Sequence, residues 1–128
     1  MNDLITTCVA TETREHLIRR LSIPGAHYHW HFNPRREVGR LYLVHRNQLV
    51  GSMEITDVTH IAEGTPLRYP DGEVRNVRGG YWLRCAAPIE LLDPMPPCQG
   101  FRGFRYFDME SFEREPRWRI ALPQEAAT

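Results

Sequence analysis

The sequence predicts one small, mostly β domain with one or two helices, its five to seven strands curled into a pseudo-barrel. Three observations lead there. A chain of 128 residues suits a single core and would struggle to bury a second. Short runs rich in Val, Ile, Leu, Thr and aromatic residues recur along it, separated by Gly and Pro, which is the pattern of strands joined by turns. Only one segment, near the start, carries a clear helical signal. Closing such a sheet would also remove exposed strand edges.

Taken in order, residues 4–10 read as a strand. Thr11 is placed to cap a helix running to Leu21, with Glu12 in its first turn, Leu17, Ile18 and Leu21 as its buried stripe, and Arg14, Arg19 and Arg20 in water. Pro24 and Gly25 end it. Residues 27–32, HYHWHF, alternate imidazole with aromatic and fit a strand with two distinct faces. After Gly39, residues 41–44 and 49–58 form a β-hairpin around a polar turn at Arg46, Asn47 and Gln48. Residues 65–76, with two prolines and Asp71-Gly72, make a loop or tight hairpin. Residues 81–87 return to strand, and 88–97 are proline-dense and extended. A closing strand lies within Gly100 to Phe107, one or two helical turns follow over 108–114, and the domain ends near residue 123, leaving 124–128 as a frayed tail.

A hydrophobic fraction of 41% and a charged fraction of 25% are those of an ordinary globular protein. The formal charge is zero, which argues against a surface that coats nucleic acid all over. The distribution is uneven, however: residues 11–48 hold seven Arg against three Glu and five of the six His, whereas residues 49–74 hold five acids against Arg68 alone. All 16 basic residues are Arg, so a Schiff-base lysine and a P-loop lysine are excluded. Arg is the side chain suited to bidentate phosphate contacts and to stacking on bases.

Cys8, Cys85 and Cys98 are odd in number, widely spaced and without a CxxC pair, which argues against a disulfide framework or zinc finger. The first residues show no signal-peptide pattern, and no segment is apolar for long enough to span a bilayer. The expected setting is the cytoplasm, without a membrane partner.

Several side chains are candidates for binding. A base held in a pocket needs aromatic faces, each worth about 1–3 kcal/mol, and a few hydrogen bonds to its edge. Tyr28 and Trp30 supply faces; His27, His29 and His31 supply donors and acceptors. Because neighbours on a strand point to opposite sides, one set alone lines a pocket while the other packs the core or meets solvent. Trp82 follows Gly79-Gly80, whose missing side chains would let a ligand approach the backbone. Phosphate contacts are assigned to Arg35 and Arg36 beside the His strand, to Arg46 in the hairpin turn, and to Arg102 and Arg105, which interleave with Phe101, Phe104 and Tyr106. The aromatic residues at intervals of three could equally pack the barrel end. No metal or cofactor is expected: three His on one strand span roughly 13 Å between the outer pair, too far to share one ion.

The order of strand, helix, Gly-containing turn and strand, followed by Val38-Gly39-Arg40-Leu41-Tyr42-Leu43-Val44 and Leu49-Val50-Gly51-Ser52-Met53-Glu54-Ile55, resembles the PUA-like superfamily, particularly its ASCH and EVE branches. The segment from Pro96 to Phe107 is similar to the closing strand of such proteins. The ASCH signature Gly-x-Lys-x-x-Glu-x-Arg corresponds here to Gly25 through Phe32, with His27 in place of Lys, Trp30 in place of Glu and Phe32 in place of Arg, so an activity that needs that Lys is not carried over. The resemblance implies recognition of RNA or DNA, single-stranded or carrying a modified base. An ASCH-type amidohydrolase acting on a modified nucleoside, with a His and a carboxylate such as Glu54 replacing the Lys, is the alternative, and a protein-interaction module is a third.

Overall fold

Eight strands and two helices make up residues 2–114, the part of the chain that the structure, a computed structural model, describes. They follow one another as β1 (Asn2–Thr7), α1 (Arg14–Arg20), β2 (His27–Trp30), β3 (Val38–His45), β4 (Gln48–Ile61), β5 (Pro66–Arg68), β6 (Val74–Asn76), β7 (Gly80–Leu91), β8 (Phe104–Phe107) and α2 (Met109–Arg114). The domain is therefore mostly β. The tail expected at 124–128 lies outside the described residues.

Six strands form a mixed sheet in the order β2-β7-β4-β3-β1-β8, and β5 and β6 form a separate hairpin. β1 and β3 are parallel, and every other neighbouring pair is antiparallel. Among the described residues the expected closure into a barrel is not made by backbone hydrogen bonds, since there β2 pairs only with β7 and β8 only with β1. Both end strands have four residues, and Pro34 follows β2 too closely to let it lengthen. Side chains bridge the gap instead. The Phe32 and Phe104 rings meet at 4.9 Å, and the Arg35 backbone N–H donates to the Tyr106 hydroxyl at 2.7 Å.

Strand alternation explains why the sheet is covered on both faces. Leu4, Leu41 and Leu43 pack with Leu17 and Leu21 from the α1 side, together with Tyr28, Met53 and Leu83. Their neighbours Ile5 and Val44 point the other way, to Leu49, Cys98, Phe107 and Phe112 of α2. The long strands bend where the β4–β7 register shifts between Ser52 and Glu54 and again between Ile55 and Asp57. Gly51 lies where β4 runs so close to β7 that a Cβ there would overlap the Glu90 carbonyl oxygen, the close backbone approach that its place in the strand predicts.

Some element bounds differ from the sequence reading. β1 ends at Thr7 rather than residue 10, because the following backbone turns toward α1. The helix starts at Arg14, with Thr13 rather than Thr11 as its N-cap, its side chain accepting from the His16 N–H. Glu12 thus precedes the helix, and Glu15 occupies the first turn. Arg14 and Arg20 are not in water but half-buried, drawn in by hydrogen bonds to His45 and to Glu12 respectively. Residues 88–91 belong to β7 rather than to an extended connection. The Arg46-Asn47 turn is a two-residue link with φ of 48° and 61°, the twist that suits a tight hairpin. Among the described residues no helix is long and apolar enough to cross a membrane.

Candidate ligand-binding cleft

The site grows from the short linker between β1 and α1. Glu12 sits there because the N-cap at Thr13 starts the helix one residue later, leaving the Glu12 side chain beside the last helical residue. Its carboxylate accepts from Arg20 Nε at 2.8 Å and from Arg20 Nη2 at 2.5 Å, and His16 Nδ1 approaches at 3.0 Å. Arg20 is held from two further directions. The Tyr28 hydroxyl donates to its carbonyl oxygen, and its side chain packs on Gly72 of the β5–β6 turn, where a Cβ would stand 3.2 Å from Arg20 Cδ. Gly72 also has a φ of +89°, so a side chain there is disfavoured twice over. The hairpin tip and α1 are in this way clasped around one guanidinium.

Between them opens a cavity of about 620 Å³, lined by Cys8, Glu12, Arg20, Trp30, Tyr69 and Asp71 among others. A second, of about 310 Å³, is lined by His29, His31, Arg78 and Trp82. Trp30, Tyr69 and Pro70 line both, so the two are compartments of one cleft. The cleft runs along the free edge of β2, over which the hairpin lies: the His29 Nδ1–H donates to the Arg68 carbonyl at 3.1 Å. A carbonyl can only accept, which leaves Nε2 of neutral His29 as an acceptor.

The compartments differ in charge. The larger holds two carboxylates and one guanidinium. The hydrogen bond from Arg20 holds the Glu12 carboxyl below the usual range. Burial pushes the Asp71 carboxyl up, but hydrogen bonds from the Glu73 N–H and from Arg75 outweigh it and the net shift is downward. Both acids are thus charged near neutral pH. Arg20 Nη1 is buried without a hydrogen-bond partner among the described residues. The smaller compartment holds no acid: Arg78 makes no ion pair among the described residues, and burial lowers the pKa of His29. Burial pushes the Cys8 thiol up to about 12, so the one thiol in the cleft is not a nucleophile at neutral pH.

The structure brings His29, Trp30 and Trp82 together here. His and Trp from opposite sides of β2 reach the same cleft because an edge strand is open to one flank. His27 is half-buried and outside both compartments. Tyr28 is fully buried in the core, its hydroxyl spent on Arg20, so its ring is not a binding face. Trp82 is 3% exposed. His31 stacks on it at 4.4 Å with 13° between the planes, Tyr69 leans on it at 5.5 Å, and its Nε1–H donates to the Arg78 carbonyl. The aromatic side chains that line both compartments are Trp30, 8% exposed and packed in the core, and the half-buried Tyr69, whose ring meets the Arg75 guanidinium at 4.8 Å.

The arginines assigned to phosphate lie elsewhere. The Arg36 guanidinium sits 4.4 Å over the Tyr106 ring, and that of Arg105 sits 4.3 Å over Phe101. Arg35 and Arg102 are exposed, and Arg46 Nε donates to the Ala10 carbonyl at 2.8 Å. None of the five lines the cleft. Phe107 is buried, and Phe101 and Phe104 pack against the core. Glu54 is exposed and also outside. Glu12, Arg20, Tyr69, Asp71 and Arg78 escape sequence reasoning, because a helix-start Glu, a helix-end Arg and a hairpin tip carry no spacing that joins them. No group of three His, Cys, Asp or Glu side chains able to hold a metal occurs among the described residues.

No family model, curated protein or solved structure matches the chain.

Proposed function

We propose that this chain is a PUA-like reader that takes one unpaired base of RNA or DNA, or a modified base, into the larger compartment. The observation that carries the reading is the pairing of two aromatic side chains, Trp30 and Tyr69, with the Glu12–Arg20 pair in a cavity of about 620 Å³. That volume lies within the range of small-molecule sites. Few polar groups converging on an aromatic wall are what a planar heterocycle needs: stacking for affinity and hydrogen bonds for identity. A neutral ring also suits a compartment whose acids are already paired, Glu12 with Arg20 and Asp71 with Arg75.

The test is a calorimetric titration of the protein with the four common ribonucleosides and with short RNA and DNA oligonucleotides at two salt concentrations. Binding that is lost or weakened by roughly 1–3 kcal/mol in Tyr69→Ala, a half-buried hairpin residue, supports the reading. No binding of any nucleoside or oligonucleotide by the folded protein overturns it and moves a protein-interaction module to first place.

One observation favours the amidohydrolase as second reading. His16 is exposed at the rim of the larger compartment with Glu12 at 3.0 Å from its Nδ1, and an imidazole oriented by a carboxylate is the usual form of a general base. The carboxylate is then Glu12 and not Glu54. Release of free carboxylic acid from an N-acylated nucleoside, abolished in His16→Gln, would establish it.

A further inference from the structure

We propose that the cleft binds a whole nucleotide in one direction, with the base in the larger compartment and a phosphate in the smaller one against Arg78. This rests on the base-binding reading above. Three observations carry it. The compartments adjoin, with Trp30, Tyr69 and Pro70 lining both, so a ligand seated in one lies beside the other. Their charges differ: the larger holds Glu12, Asp71 and Arg20, with the acids paired to Arg20 and Arg75, whereas the smaller has Arg78, His29 and His31 and no carboxylate. The guanidinium lining the larger compartment already has its carboxylate, and an anion beside Arg78 meets one that no ion pair among the described residues occupies.

The third observation is how firmly Arg78 is placed. Its carbonyl oxygen accepts from the Trp82 Nε1–H at 3.1 Å, and Trp82 is itself held by the stacked His31 ring and the tilted Tyr69 ring. The backbone at Arg78 is anchored from the wall of the cleft, while its side chain is exposed and free to turn onto a ligand. Guanidinium and phosphate pair bidentately through charge-assisted hydrogen bonds. Sugar and aromatic wall would meet at Tyr69 and Pro70, midway between the two ends.

The experiment compares adenosine, guanosine, cytidine and uridine with their 5′- and 3′-monophosphates by isothermal calorimetry, using the wild-type chain and Arg78→Gln. For the nucleoside that binds, one of its two monophosphates is expected to bind about tenfold more tightly, and Arg78→Gln should abolish that advantage without changing affinity for the nucleoside. Arg35→Gln with Arg36→Gln should leave the advantage intact. Equal affinity for nucleoside and both monophosphates, or an equal loss for all three in Arg78→Gln, overturns the orientation while sparing the base pocket. Absence of binding by every nucleoside and nucleotide overturns the base pocket itself.

Discussion

Arg14 donates its Nε–H to Nδ1 of His45 at 2.9 Å, and that single bond decides the state of a fully buried imidazole. With Nδ1 accepting, the proton is on Nε2, which donates to the Glu12 carbonyl at 2.8 Å. Arg14 also donates to the His45 carbonyl at 2.8 Å and to Gln48 Oε1 at 3.1 Å, tying α1 to the β3–β4 turn. The neutral ring is thus part of the scaffold that holds Glu12 at the cleft.

Acid should weaken this arrangement as pH falls below the ordinary histidine value of 6.5. Burial lowers the His45 pKa from its ordinary 6.5, the hydrogen bond to Glu12 opposing and the nearby Arg14 and Arg46 assisting; burial lowers that of His29 too. Between the folded and unfolded pKa values the unfolded chain binds more protons, so stability is full above about pH 6.5 and declines as pH falls below it. Thermal melts at pH 8, 7, 6 and 5 should show a falling midpoint only in the lower half of the series. His45→Gln should flatten that decline in part and His29→Gln should remove a further part. A wild-type midpoint that holds constant down to pH 5 refutes the neutral assignment.

Tyr28 and Tyr69 should separate structure from binding. Tyr28→Phe removes only a hydroxyl that donates to the Arg20 carbonyl, so it should lower stability by about 1 kcal/mol in urea titrations and leave the specificity among bases unchanged. Tyr69→Ala should also lower stability, since its ring packs on Trp82 and against the Arg75 guanidinium, but it alone should bring a clear loss of base affinity. The opposite pattern would mean that Tyr69 is not part of the binding wall.

Gly51 offers a test of the sheet itself. A Cβ there overlaps the Glu90 carbonyl and comes to 3.0 Å from Leu91 Cα, both backbone atoms that cannot rotate away. Gly51→Ala should therefore destabilise by roughly 1–3 kcal/mol, the usual size of a core overpacking effect. Gly64→Ala is the contrast: no atom of the described residues stands within 4 Å, and its φ of +83° makes backbone strain the expected effect.

The fold was readable where pattern and packing agree. The alternation of Leu4, Leu41 and Leu43 against Ile5 and Val44 is a period-two signal that the sheet faithfully sorts onto two sides. The polar Arg46-Asn47 turn and the closing Phe104–Phe107 strand have local causes and stand where local rules put them. The pocket was only half legible. HYHWH marked β2, and Trp30 and His29 do reach the cleft, yet Tyr28 looks identical in sequence and is core. Tyr28 and Trp30 share one face of β2 and one core cluster; Trp30 differs in standing beside Tyr69 and Pro70 of the connection between β5 and β6, a tertiary fact with no local trace. Arginines beside aromatic residues suggested a grip on phosphate, but Arg36 and Arg105 spend their planes on Tyr106 and Phe101. Such contacts within the chain compete for the same stacking that a base would use.

The Glu12–Arg20 pair should define a second, lower acid transition and the integrity of the cleft with it. Both side chains are about 15% exposed, 15% for Glu12 and 14% for Arg20, so removing one partner leaves the other largely away from water. Glu12→Gln keeps the shape and can still accept from the guanidinium, but it deletes the charge and should lower stability by roughly 1–3 kcal/mol. The folded pKa of Glu12 lies below its ordinary 4.5 because Arg20 donates to the charged form. Its contribution is therefore present above pH 4.5 and is lost as pH falls through the folded value. Wild type should show this loss below pH 4.5, and Glu12→Gln should lack it while keeping the decline that starts near pH 6.5. Because the same carboxylate borders the base compartment, Glu12→Gln should also change which base is preferred, where Tyr69→Ala weakens all bases alike. A variant with unchanged base preference but reduced stability would make the pair a clasp between α1 and the hairpin and nothing more.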